Sequence, residues 1–89
     1  MKTIVEVKET ENEGLLALIG KNVTFFAMNY IYVGRLVGVN TTCVKLENPK
    51  IVYETGAFTD NKYRDAQALP NVLYIQTGAI ESFGVIKES

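Results

Sequence analysis

After Lys21 the chain is written mostly in a period of two, the spacing of strands with one face buried and the other wet. Val23, Phe25 and Ala27 alternate with Asn22, Thr24 and Phe26, and β-branched or aromatic residues continue to Val33. Met28-Asn29-Tyr30 reads as a tight turn, Asn being tolerant of the left-handed region. A second strand follows over 30–39, where Gly34 and Gly38 mark a bend, a bulge or a close backbone approach. Asn40-Thr41-Thr42 is the next turn, and Cys43-Val44-Lys45-Leu46-Glu47 a third strand. Asn48-Pro49-Lys50 interrupts it before Ile51-Val52-Tyr53, and Pro49, having no N–H for a ladder, implies a bulge or an edge. Residues 56–70 are polar around Thr59-Asp60-Asn61-Lys62 and read as an exposed, variable loop. Two more short strands fall at 72–77 and 79–85.

Ahead of these strands the period changes. Leu15, Leu16 and Ile19 lie within a short helix predicted over 14–20, with Gly20 as its stop. So short a helix is unstable alone, so these side chains are expected to pack on something larger. Residues 1–13 form an N-terminal extension in which Val5 and Val7 could share a strand face and Thr10 or Asn12 could cap the helix. The whole predicts one domain over 1–89: mainly β, a small, strongly bent, five-stranded antiparallel open barrel with a short N-terminal helix.

Composition narrows the chemistry. The 89 residues contain no His and one Cys. A catalytic triad, an imidazole proton shuttle and a His-ligated metal site are therefore excluded, and no enzyme, metal or cofactor is expected. A lone Cys cannot close an intramolecular disulfide, which fits a reducing cytoplasm. No secretory leader is visible, and the longest uncharged runs, 22–34 and 66–80, are too short to span a bilayer. So short a chain buries a thin core, which favours association with other copies.

The net charge of −1 hides an uneven distribution. Residues 14–46 carry Lys21, Arg35 and Lys45 without a single Asp or Glu, a net +3, while acidic stretches flank them on both sides. A cyclic assembly would repeat that positive segment around one axis and concentrate its field.

The order of the pieces resembles the Sm-like superfamily, which includes Sm, LSm and Hfq proteins. Leu15-Leu16-Ala17-Leu18-Ile19-Gly20-Lys21-Asn22-Val23 is similar to the family's N-terminal helix running into "Gly-Lys-x-Val". Gly34-Arg35-Leu36-Val37-Gly38-Val39-Asn40 resembles the first Sm signature, with Leu46 at its closing aliphatic. Ile75-Gln76-Thr77-Gly78-Ala79-Ile80 resembles the second. The chain is also similar to the compact Sm-like proteins of tailed phages of marine cyanobacteria. The resemblance implies a ring of about five to seven copies, in which the last two strands pair across subunits. It further implies an RNA-binding or RNA-chaperone-type role.

By this resemblance the RNA-binding positions are Asn40, Thr41, Thr42, Thr77 and Gly78, with Arg35 and Lys45 supplying charge. The family's base-reading groups are replaced: Asn40 stands for an Asp, Thr41 for an aromatic or His, Thr42-Cys43 for "Met-Asn", and Thr77 for an Arg. A stacking ring contributes ~1–3 kcal/mol per base, so the uridine pocket is degenerate. The alternative reading is a structural or scaffolding ring, of a phage for example, that binds another protein and no nucleic acid.

Each candidate also has a plain reading. Asn40-Thr41-Thr42 could be only a polar hairpin turn. Thr77-Gly78 could be only a strand corner, and Cys43 a small buried filler. Phe26, Tyr30, Tyr32 and Tyr53 could be a stacking platform for single strands or ordinary core and cross-strand pairs. Glu47 with Glu54, and Asp60 with Asp65, could be catalytic carboxylate pairs or solvated charges beside Lys62 and Arg64. The glycines fit neither a phosphate-binding loop nor a dinucleotide fingerprint.

Overall fold

A computed structural model describes residues 13–87. Its elements are α1 (Gly14–Ala17), β1 (Asn22–Ala27), β2 (Ile31–Val39), β3 (Cys43–Glu54), β4 (Asp65–Ala68), β5 (Leu73–Gln76) and β6 (Ile80–Gly84), with one 3₁₀ turn (Thr77–Ala79) between β5 and β6. The protein is mainly β: one antiparallel open sheet of six strands and one short helix. The strand order is β4-β3-β2-β1-β6, and β5 also pairs with β3. Among the described residues no helix is long and apolar enough to cross a membrane. The expectations for Val5, Val7, Thr10 and Asn12 lie outside the described residues.

The expected count of five strands becomes six, because β4 lies inside the segment assigned to a loop. Asp65-Ala66-Gln67-Ala68 has low strand propensity and no apolar alternation. Its conformation is imposed by the ladder to β3, which pairs Lys50 with Ala68, Ile51 with Gln67 and Val52 with Ala66.

β3 is long and bends, and Pro49 explains how. The register passes from Val33↔Lys50 to Arg35↔Glu47, so Asn48 and Pro49 together oppose Gly34 in a bulge. Pro49 is therefore tolerated in an interior strand, not an edge, and its carbonyl accepts the Leu69 N–H at 2.9 Å. Gly34 is required there: a Cβ would stand 3.1 Å from the Glu47 carbonyl oxygen and 3.2 Å from Leu46 Cβ. Asn48 itself takes the left-handed region (φ 49°), as does Asn71 (φ 63°), whereas Asn29 does not. On either side of this bend, β3 pairs with β4 through 50–54 and with β5 through 43–46.

The bent sheet buries apolar residues on both faces. One face gathers Val23, Phe25, Leu36, Val44, Leu46 and Ile75, with Leu15, Leu18 and Ile80 packed against them. Ile75 and Ile80 come from strands paired to opposite sides of the sheet, so the sheet curls around this cluster. The helix docks through Leu15 and Leu18, while Leu16 and Ile19, expected to pack, are exposed. A helix of one turn can turn only one side to the sheet, and positions three apart share it. The helix is shorter than the expected 14–20: it ends at Ala17 with Leu18 as its C-cap, and Gly20, two residues beyond the cap at φ 93°, donates its N–H to the Leu36 carbonyl at 2.7 Å. The other face gathers Val33, Val52 and Tyr63, with Ile31 and Ala66 beside them.

Candidate functional site

The β2–β3 turn is built around one side chain. Asn40 Oδ1 accepts the N–H of Thr42 at 2.8 Å, the N–H of Cys43 at 2.9 Å and the Thr42 hydroxyl at 3.0 Å. The Asn40 N–H in turn donates to the Cys43 carbonyl at 3.0 Å. This is the Asx geometry for which Asn is favoured in turns.

Thr77, 36 positions away from Thr41, completes the arrangement. The Thr77 N–H donates to the Thr42 carbonyl at 2.9 Å, and the Thr77 hydroxyl to the Thr41 carbonyl at 2.9 Å. The β2–β3 and β5–β6 corners are thus stitched together. They meet where β3 begins and β5 ends, Cys43 opposite Gln76. A shallow groove results, lined by Thr41, Thr42, Cys43, Gln76, Thr77 and Gly78, with Tyr74 at its side.

The two cations assigned to this region are placed differently. Lys45 stands opposite Tyr74 across the β3–β5 ladder, its ammonium 5.9 Å from the ring centroid. It therefore flanks the groove. Arg35 stands opposite Glu47, and its guanidinium lies 3.5 Å from that carboxylate. It does not line the groove, and its charge is matched locally. The structure brings together Asn40, Thr41, Thr42, Thr77 and Gly78, adds Lys45, and leaves Arg35 aside.

Cys43 is half-buried beside the groove. The four aromatic residues read as a platform do not gather in one place. Tyr30 and Tyr32 are neighbours, with centroids 6.1 Å apart and planes tilted by 59°. Tyr32 packs against the first core, whereas Tyr53 lies on the β3–β4 ladder and donates its hydroxyl to Gln67 at 3.0 Å. The aromatic residue that does border the site is Tyr74, 58% exposed, which sequence reasoning passed over. Its signal was present: in Leu73-Tyr74-Ile75-Gln76, the alternation puts Tyr74 and Gln76 opposite the buried Ile75.

Two of the carboxylates read as candidate acid–base groups are each matched by a guanidinium. Glu47 is engaged by Arg35, and Arg64 approaches Glu54 at 3.3 Å. Among the described residues no group of three or more Cys, Asp or Glu could hold a metal ion.

A second groove, of about 220 Å³, lies between the β1–β2 turn and β5. Ala27, Met28, Tyr30, Tyr32 and Tyr74 line it, and Met28 and Tyr30 are 72% and 51% exposed.

Comparison with protein-family models, with curated proteins and with solved structures returns no match.

Proposed function

We propose that this chain assembles into a cyclic homo-oligomer of the Sm-like type and binds single-stranded RNA at the stitched corners of the hairpins. The observation that carries this reading is the pair of hydrogen bonds from Thr77 to Thr41 and Thr42. They join the two segments that resemble the Sm signatures into one surface. The order of the elements supports it as well: a one-turn helix, three strands in a meander, a 3₁₀ turn, and a last strand returning to β1. Among the described residues β6 pairs only with β1 and β5 only with β3, so each strand keeps an outer edge. Such edges are templates for strand pairing, and a head-to-tail pairing of β5 with β6 of the next copy can close into a ring.

RNA binding at this surface has weak base preference, because its most specific polar groups are already engaged. Asn40 Oδ1 holds the turn, and the Thr77 hydroxyl holds the neighbouring corner. Contact falls instead to Thr41, Gln76, the backbone around Gly78 and the Lys45 ammonium, with Tyr74 as a stacking face. A ring repeats Lys45 once per copy and so builds a phosphate-attracting field that one copy lacks.

The groove at Met28, Tyr30 and Tyr74 favours a second reading, a scaffolding ring that binds another protein. Two measurements separate the readings. Sedimentation at two protein concentrations is expected to show an oligomer, and a 9.9 kDa species throughout would sink both. Fluorescence anisotropy with labelled oligo-U and oligo-A is expected to show salt-sensitive binding of both. A persistent ring with no binding at low salt leaves the scaffolding reading.

A further inference from the structure

On the other face of the sheet, residues 55–63 fold around Lys87. Lys87 follows β6 by three positions and is 3% exposed. Its ammonium donates to the carbonyl oxygens of Thr55 at 2.6 Å, Ala57 at 2.7 Å and Lys62 at 3.2 Å. The Tyr63 ring centroid lies 4.9 Å from the nitrogen and the Phe58 centroid 5.5 Å. Among the described residues no carboxylate is paired with it.

We propose that segment 55–63 is a primary-ammonium site whose ligand is the chain's own Lys87, and that this contact is the latch holding the segment closed on the sheet. The donor count supports the ligand class. An ammonium has three N–H groups, and the site offers three carbonyl acceptors, so every donor is met. Among the described residues the charge is met by carbonyl dipoles and by the negative faces of two aromatic rings. A guanidinium is planar and presents its donors in a fork, which does not converge on three such oxygens. A quaternary ammonium has no N–H to give.

Tyr63 anchors the far end of the segment to β1 through Thr24, and Lys87 is the latch for the remainder, whose Thr55, Ala57 and Lys62 carbonyls it gathers. Among the described residues no ladder extends beyond Gly84, and Val85 and Ile86, the residues just before Lys87, are exposed. Without the ammonium, three carbonyl oxygens converge on an empty centre with no donor among them. Such groups open to water rather than stay buried.

The test is hydrogen exchange on the full chain. In Lys87→Ala, amides of 55–63 are expected to exchange at least tenfold faster, with amides of β1 and β2 unchanged. Added n-propylammonium, which replaces the missing methylenes and ammonium, restores protection; tetramethylammonium and propylguanidinium at equal concentration do not. Lys87→Arg behaves as Lys87→Ala. Wild-type exchange rates in Lys87→Ala, equal rescue by tetramethylammonium, or full protection in Lys87→Arg would each overturn the proposal. Should Lys87→Ala fail to fold, wild-type protein labelled at lysine nitrogen decides. One slowly exchanging NH₃⁺ resonance that is lost in Lys87→Arg is expected, and its absence refutes the site.

Discussion

The hydroxyls of Thr24 and Tyr63 meet at 2.6 Å, although 39 positions separate them in the chain. Thr24 lies on β1 between Val23 and Phe25, so its side chain leaves the sheet on the face opposite their core. Tyr63 brings the 55–63 segment to that face, and both residues are buried. The contact makes a polar pair the centre of the second, smaller core.

Removing both hydroxyls is expected to cost less than the sum of removing each. Tyr63→Phe or Thr24→Val leaves a buried hydroxyl without its partner, worth about 1–3 kcal/mol. In the double variant neither remains, so the loss should fall short of the sum by at least ~0.5 kcal/mol. Urea denaturation of the four proteins gives the coupling. Strict additivity would mean that the hydroxyls do not interact.

The same phenol sets a pH dependence. Burial raises the Tyr63 pKa above its ordinary 10.0, against a smaller lowering by the Thr24 hydrogen bond. Between the unfolded and the folded pKa the unfolded chain has already lost the proton that the folded chain keeps. Its stabilising contribution is therefore complete below the unfolded pKa and is lost as pH rises through the folded one. Wild-type stability should fall relative to Tyr63→Phe as pH is raised above the ordinary value of 10.0. A difference that stays flat across that window would refute the assignment.

Two glycines should respond oppositely to a methyl group. Gly34→Ala places a Cβ against backbone atoms of Glu47 and Pro49, which cannot swing aside, and should cost about 1–3 kcal/mol. Gly78→Ala meets nothing within 4 Å and should stay within ~0.5 kcal/mol of wild type. Thermal denaturation of both variants measures the contrast, and equal losses would show that the bulge opposite Gly34 is pliable.

The Asn40 side chain works as an acceptor only. Asn40→Asp keeps an oxygen for the N–H groups of Thr42 and Cys43 and should be tolerated within a few tenths of a kcal/mol. Asn40→Ala gives these exposed groups to water at about 0.5–1.5 kcal/mol. Denaturation midpoints decide, and equal effects of the two would show that the carboxamide N–H₂ matters as well.

For RNA, Lys45→Glu should weaken binding to oligo-U and oligo-A alike and lower the salt dependence, by a slope of about 1 for the lost contact. Arg35→Glu should do less, since Arg35 lies outside the groove and faces Glu47. Anisotropy titrations over a salt series compare them, and a greater loss in Arg35→Glu would place the RNA elsewhere.

Much of the sheet was legible because its signals are local. Alternating apolar residues announced β1, strand-forming runs between turn residues announced β2, β3, β5 and β6, and Pro49 announced a bulge or an edge, whereas the helix expected to run to Gly20 ends at Ala17. β4 was hidden, since Asp65-Ala66-Gln67-Ala68 is a strand only by virtue of its partner. The helix face was misassigned at Leu16 and Ile19 because one turn has too few residues to fix its orientation. At the candidate site the two corners could be named from their residues. That Thr77 would bond to Thr41, that Tyr74 would stand over Lys45, and that Arg35 would face Glu47 depended on register across bulged ladders.

The sequence by itself determined the class of the protein: a small β domain without imidazole chemistry, whose stretch 14–46 carries a net +3 between acidic flanks. Short-range patterning and composition suffice for that, because propensity, turn chemistry and charge are properties of neighbouring residues. Only the tertiary structure decided which distant groups meet. It spent the Asn40 carboxamide inside its own turn, and it closed Thr24 on Tyr63 and Lys87 on three carbonyls. A one-residue bulge or a bend in β3 redirects every side chain beyond it, and no local pattern carries that information.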